Sequence, residues 1–378
     1  MISYLDILDT TKTKIGIIDT AQSIIWHSVY FGVGDFEIYV EATANNIELL
    51  QIGNYVARED TNDVGIIESI NVDFDLQNGY MITASGRFLK SILDRRLIYK
   101  LSGNTNTPTI LSGLVEVAAR KLVQDNAINC TFDSRRNISG LALGQLKGFN
   151  KQIVDINGNP SQIQVSYQNL LEYTDELLKD YGYAAKVTIN DSNKNFLYTV
   201  YTGTDRSVDN TGGYQPIIIS TDYDNLNSSA YSFDVASLKN AVLIGGAGED
   251  LDRFYSLLTG GLTGLQLREV FLDASSINRT YKEEGSDTEQ EYTTAEYTAL
   301  LNQEGKVALN ETIAVENFNG DINVSFGIYQ FNRDYFLGDI VTIQDNKINK
   351  YVNNRITEAT EVQDENGYTV DVVFGTNN

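Results

Sequence analysis

Gly34-Asp35-Phe36-Glu37-Ile38-Tyr39-Val40 and Gly320-Asp321-Ile322-Asn323-Val324-Ser325-Phe326 stand near opposite ends of the chain. Each reads Gly-Asp and then apolar residues at alternate positions, the period of a strand with one buried face. Further along, Ile52-Gly53-Asn54-Tyr55-Val56, ending at Asp60, matches Leu337-Gly338-Asp339-Ile340-Val341, ending at Asp345. The turn Asn78-Gly79-Tyr80 then matches Asn366-Gly367-Tyr368. From the first glycine to the second is 19 residues in one copy and 18 in the other. Any one match is chance-grade, but three in the same order argue for a duplicated module.

Each copy reads as antiparallel strands. Ile70, Val72, Phe74 and Leu76 alternate with Asn71, Asp73, Asp75 and Gln77, which sets apolar side chains on one face. Asn78-Gly79 follows, a pair that favours the positive φ angles of a tight hairpin turn. Val370, Val372 and Phe374 alternate likewise after Asn366-Gly367. Short strands joined by such turns predict a small barrel or sandwich.

Between the copies the pattern is mixed. Leu111, Leu114, Val115, Ala118 and Leu122 follow helical spacing behind Pro108. A second helix carries Leu170, Leu171, Thr174, Leu177, Leu178 and Tyr181, with Gly182 suited to its C-terminal cap. Strands are expected at Ala185–Asn190, Asn195–Tyr201 and Ala241–Ile244. Tyr281–Tyr292 is dominated by Glu, Asp, Gly and Thr and reads as an exposed, mobile loop. Thr293 with Glu296 forms a capping box for a helix through Leu300 and Leu301, closed near Gly305.

The expected fold class is α+β, mainly β: two homologous small antiparallel β-barrels with intervening α+β peripheral domains. The expected division is a first tube-like barrel module at 1–104 and a peripheral α+β domain at 105–230. A second peripheral region with the acidic loop and helix follows at 231–310, and the second barrel module at 311–378. With 378 residues, two to four domains are ordinary.

Composition excludes several functions. The net charge is −23, with 28 Lys and Arg against 51 Asp and Glu. Nucleic-acid readers need clustered positive charge to displace counterions from phosphates, so specific binding to nucleic acid is not expected. No run reaches the roughly 18 apolar residues of a membrane span. Met1-Ile2-Ser3-Tyr4-Leu5-Asp6 lacks the basic start of a secretory signal.

Cys130 is the single cysteine, so no intrachain disulfide forms, and it reads as a small hydrophobe. His27 is the single histidine; it follows Trp26 in a strand-like apolar run and reads as structural rather than as a catalytic base. Zinc cages built from several His and Cys ligands are ruled out by count. Gly245-Gly246-Ala247-Gly248 follows a strand, but Leu251 takes the place of a dinucleotide fingerprint's third glycine, so a plain turn is expected. Paired carboxylates at glycosidase separation remain an open chemistry among so many acids, and the 23 tyrosines suit sugar stacking as well as strand faces and interfaces. No catalytic, cofactor-binding or metal-binding residue is assigned, and no cofactor is expected.

Several ordered segments carry a resemblance. Tyr30-Phe31-Gly32-Val33-Gly34-Asp35-Phe36-Glu37, Ile52 through Asp60, and Gly86-Arg87-Phe88-Leu89-Lys90-Ser91-Ile92-Leu93-Asp94-Arg95-Arg96 are similar to the siphophage tail-hub family. These are the tail-associated, minor tail or baseplate-hub proteins at the tail tip of phages infecting Gram-positive bacteria. Lys239 through Gly248 with Arg253, Arg268-Glu269-Val270-Phe271-Leu272-Asp273, and Tyr335 through Val341 with Arg355-Ile356-Thr357-Glu358 continue it along nearly the whole chain. The resemblance implies a homotrimer whose two barrels per subunit make a six-fold-like ring, adapting a six-fold tail tube to a three-fold tip and conducting DNA. It implies as partners the distal tail protein, tail tube and tape-measure proteins, with receptor-binding proteins as further candidates. Double-stranded DNA would pass without specific binding, and the host cell wall would be met indirectly. The implied location is the virion's tail tip, after synthesis in the host cytoplasm. Members often carry a C-terminal hydrolase or fibre; this sequence ends at Asn378 right after the second module, so lytic activity is not carried over.

Two alternatives stand beside the hub: a cell-wall glycan-binding or glycan-hydrolysing tail protein using paired carboxylates, and the hub of a phage-tail-like bacteriocin. For a DNA-conducting ring, polar strand positions such as Asp73, Asp75 and Asp371 are expected to face a repulsive, acidic channel.

Overall fold

The computed structural model describes residues 2–154, 158–282, 288–310, 312, 315–322, 328–347 and 349–375, with the backbone alone described at 227, 229 and 315–322. The strands that matter for the site are β1 (Ser23–Val29), β2 (Asp35–Glu41), β3 (Tyr55–Ala57), β4 (Val64–Asp75), β5 (Gly79–Phe88), β6 (Leu226–Asp234), β7 (Val315–Ile322), β8 (Ile340–Asp345), β9 (Lys350–Asp364) and β10 (Gly367–Gly375). The longer α-helices among the described residues are α1 (Val115–Val123), α2 (Leu170–Lys179) and α3 (Thr294–Asn310).

The ten strands fall into two runs with one order. The first runs β1-β2-β5-β4-β3, and the second β6-β7-β10-β9-β8. The runs join edge to edge where β9 pairs antiparallel with β1, making one continuous sheet. Among the described residues the pairing is open and no barrel closes, so the mainly-β class holds while two closed barrels are not seen.

The paired strands of the β4–β5 and β9–β10 hairpins agree residue for residue. In β4 the register shifts between Ile67 and Ser69, opposite Gly86 and Ser85. In β9 it shifts between Ile356 and Glu358, opposite Phe374 and Val373. Glu68 and Thr357 are therefore the extra residues of equivalent bulges, which bend a strand and pin its register. The first hairpin ends Asp75↔Gly79 and the second Asp364↔Gly367, so their turns differ by one residue. The Gly53 and Gly338 matches also land on equivalent corners.

The opening Gly-Asp match does not. Phe36 lies opposite Gly86, and Phe318 lies opposite Phe374. With Gly86 and Phe374 equivalent, Gly34 corresponds to Glu316, four residues before Gly320. A two-residue strand period repeats every even step, so a four-residue slip keeps the same apolar face and is invisible in the sequence. Residues 323–326 of that match lie outside the described residues.

The cores follow the strand faces. One gathers Trp26, Phe36, Ile38, Val40, Val56, Ile67 and Ile82 beneath the first run. Another gathers Val341, Ile343, Ile356, Val370, Val372 and Phe374 with Ile217, Ile219 and Leu226 beneath the second. The 205–234 segment, expected in a peripheral domain, thus supplies strands to the second run: Asp205–Arg206 and Ile218–Ser220 pair with β8, and β6 pairs with β7.

The largest core packs α1 and α2 on the three-stranded sheet Leu141–Leu143, Phe196–Tyr201 and Ala184–Ile189. Leu111, expected in a helix, is instead a strand residue paired with Ile163, and Gly113 at φ 77° breaks the chain before α1 begins. Asn169 caps α2 by accepting from the Leu171 and Glu172 amides, and Gly182 follows at φ 72°. The Thr293–Glu296 capping box forms as expected, the Thr293 amide donating to Glu296 at 2.8 Å. The helix does not stop at Gly305 but runs to Asn310. Gly305 lets it approach the Ala241–Gly245 strand: a Cβ there would lie 2.5 Å from Ile244 Cδ1. The base of the acidic segment is a short hairpin, Thr280–Lys282 with Glu289–Glu291, and the Tyr281 and Tyr292 rings stack 4.5 Å apart. Its centre, 283–287, lies outside the described residues.

Candidate interaction site at the module junction

Six residue pairs join the runs, from Glu358↔Val29 to Gln363↔Ile24. Side chains lock this seam. Arg58 follows β3, and its guanidinium meets Glu361 of β9 in a two-pronged pair, Nη1 to Oε1 at 2.8 Å and Nη2 to Oε2 at 2.9 Å. Asp60 takes Nε at 2.9 Å and shares Nη2 at 2.6 Å. The Arg58 and Glu361 side chains are 1% and 2% exposed. Ions so enclosed persist only when their hydrogen-bonding capacity is filled. The Tyr368 hydroxyl at 2.5 Å and the Asn332 amide at 3.3 Å donate to the remaining oxygen sites of Glu361. The guanidinium also lies 5.3 Å from the centre of the Trp26 ring.

The electrostatics follow. Burial disfavours charge on Arg58, but hydrogen bonds to Glu361 and Asp60 outweigh it and raise its pKa. Burial would lift Asp60, yet Arg58 holds it below the ordinary carboxylate range. Tyr368 is pushed well up by burial and by Glu361 beside it, so its proton stays and it remains a donor.

His27, read as structural, sits on this same seam. Nδ1 is 3.0 Å from Asp35 and Nε2 is 3.2 Å from Glu358 on β9. Burial depresses its pKa, but the two carboxylates outweigh that and raise it. Only imidazolium donates from both nitrogens, so the arrangement favours the protonated ring. The ring thus bridges a carboxylate of the first run and one of the second.

The core around α1 and α2 is tied to the seam through Tyr30. Its hydroxyl donates to the Gly182 carbonyl at 3.1 Å, its ring meets Tyr201 edge-on at 5.4 Å, and Arg355 lies 5.2 Å from its centre.

Other sequence candidates settle elsewhere. Cys130 is buried beside the Arg136 guanidinium, 3.7 Å from Sγ. Gly245-Gly246-Ala247-Gly248 makes a turn: the Tyr297 hydroxyl accepts the Ala247 amide at 2.7 Å, Arg253 donates to the Gly245 and Gly246 carbonyls, and a single 3-10 turn, Asp250–Asp252, follows in place of an α-helix. Asp75 accepts the Gln77 and Asn78 amides at 2.7 Å each, shaping the hairpin tip. Among the described residues no group of three or more His, Cys, Asp or Glu is placed to hold a metal, and no helix is long and apolar enough to cross a membrane.

Two buried charged groups carry no local sequence signal. The Arg58–Glu361 pair spans 303 positions. Glu116, buried in α1, accepts the Lys147, Gly148 and Phe149 amides at 2.7, 2.8 and 3.1 Å.

This duplicated, mainly-β architecture is the fold of phage tail proteins. It is similar to a tail protein from Neisseria meningitidis MC58, at 12% identity and TM-score 0.56 over 99% of this chain and 97% of that one. The 43 kDa tail protein of prophage MuSo2 from Shewanella oneidensis also has TM-score 0.56, at 13% identity over 98% of each chain. Prophage tail protein gp18 from Listeria monocytogenes EGD-e has TM-score 0.50 at 11% identity, over 99% of this chain and 94% of that one. No curated protein matches the sequence. The chain belongs to the family of siphovirus ReqiPepy6 Gp37-like proteins, whose profile matches residues 4–376, and it is a phage tail structural protein.

Proposed function

We propose that this chain is the structural hub of the tail tip, three copies forming a ring of six sheet modules that adapts a six-fold tube to a three-fold end and leaves a channel for DNA. The observation that carries this reading is the seam itself: two equivalent strand runs added edge to edge in a single sheet, with the first strand of one docked on the fourth strand of the other. Repeating that head-to-tail step between chains builds a ring when the rotation closes. The modules are 2–104, and 205–234 together with 315–375; the α1–α2 domain and the α3 lobe stand outside the ring. Distal tail, tube and tape-measure proteins are the partners this role requires, and no enzymatic step is part of it. Each chain brings a net charge of −23 to a wall that must pass DNA without holding it.

The test is the native mass of the purified chain, with duplex retention at low salt read on the same sample. A three-chain species that does not retain duplex is expected. A chain that stays monomeric at every concentration, or that binds duplex tightly, overturns the proposal.

A further inference from the structure

We infer that the contact between chains is a strand addition in a defined register: β6 of one copy pairs antiparallel with the outer half of β4 of the next, Ser69 to Asp73 facing Asp234 to Ala230. This rests on the ring reading and specifies the surfaces that close it.

The register comes from the seam inside the chain. There, β1 lies on β9, with Glu361 opposite Trp26 and Ala359 opposite Ser28. The bulges and hairpin ends make Glu361 the equivalent of Val72 and Ala359 that of Ile70. Trp26 lies opposite Phe36, and Tyr231 opposite Phe318, so Tyr231 stands where Trp26 does and Phe233 where Ser28 does. Carried over, the seam sets Val72 against Tyr231 and Ile70 against Phe233, apolar against apolar at both pairs.

Both edges are open. Beyond Ile66, β4 pairs with β5 alone, and among the described residues no strand covers the other side of Ser69–Asp75. Among the described residues β6 pairs with β7 alone and ends the sheet. An unpaired edge is a template for another strand. The exposure is one-sided in the way an uncovered seam requires. Val72 is 51% exposed, whereas Glu361 in the same place is 2% exposed. Tyr80 is 61% exposed, whereas its equivalent Tyr368 is packed against both module cores. Phe233 is 58% exposed.

The two seams are also chemically distinct. The ionic pair Arg58–Glu361 corresponds to Ile343 and Val72 at the seam between chains. A charged Glu361 brought to the apolar seam would lack its guanidinium, so the in-chain and between-chain contacts do not substitute for one another.

The experiment uses the full chain carrying Asn71→Cys with Ser232→Cys, both exposed and directly opposite in the proposed register, with buried Cys130 retained. Under mild oxidation it should give a covalent three-chain species that grows no further. Asn71→Cys with Ala230→Cys, two residues out of register on the same face, should link at least tenfold more slowly. Val72→Asp should leave the thermal unfolding of the monomer within about 2 °C of wild type and convert the assembly to monomers. If a three-chain assembly persists but the in-register pair fails to link, or the shifted pair links equally well, the register is wrong and the ring stands. A wild-type chain that stays monomeric, together with no linking in the in-register cysteine variant, overturns both.

Discussion

Gly53 and Gly338 occupy the same corner of the two modules, at φ 89° and 90°, and their amides donate at 2.9 Å to the carbonyls of Ile67 and Ile356, the residues just before the two bulges. Return bonds close each corner, from the Ile67 amide to Asn54 O and from the Ile356 amide to Asp339 O, both at 2.9 Å. The backbone is the same, but the surroundings are not. A Cβ on Gly53 would meet only Thr10 at 3.8 Å, whereas one on Gly338 would lie 2.3 Å from the Tyr30 ring. Gly53→Ala should therefore cost the backbone strain alone, about 1–3 kcal/mol. Gly338→Ala should cost more, because Tyr30 must also move. Denaturant unfolding of the two variants checks the order.

Arg58 and Glu361 should respond unequally to loss of the partner. Arg58→Met leaves Glu361 buried with only the Tyr368 and Asn332 donors, and should cost about 3–5 kcal/mol. Glu361→Gln leaves Arg58 its two bonds to Asp60, and should cost less. The double change to Met and Leu should recover part of the loss, which a double-mutant cycle in urea measures.

His27 makes the seam sensitive to pH. Its pKa is raised in the folded chain above its ordinary 6.5. A raised pKa means that the stabilisation is fully present below the unfolded value and is lost as pH rises through the folded one. The melting temperature should therefore fall as pH rises from about 6.5, and His27→Gln should flatten that slope. An NMR titration of the ring should give a midpoint above 6.5; a midpoint below it would contradict the bridge.

Glu116 organises the 147–149 loop through three backbone amides. Glu116→Gln turns one acceptor oxygen into a donor group and removes the charge, leaving amides unpaired. A loss of about 1.5–3 kcal/mol is expected for a charged hydrogen bond. Amide exchange at Lys147–Phe149 should rise, while exchange at the module seam should not change.

The repeat, the mainly-β class and most local structure are legible in the residues alone, because these depend on neighbours along the chain. Strand alternation, Asn-Gly turns, the Thr293–Glu296 box and the glycine corners are all short-range patterns. The residues alone do not determine strand register, since a shift by an even number of residues leaves the buried face unchanged; that is how Gly320 was set against Gly34 when Glu316 holds the place. Nor do they separate Val72 and Phe74, exposed on the first hairpin, from Val370 and Val372, buried on the second, because alternation names a face and not what covers it. Long-range packing sets β1 beside β9, Arg58 against Glu361 across 303 positions, and His27 between Asp35 and Glu358. Such contacts depend on which edge finds which. That choice is made by the complementarity of whole surfaces, which no local pattern encodes.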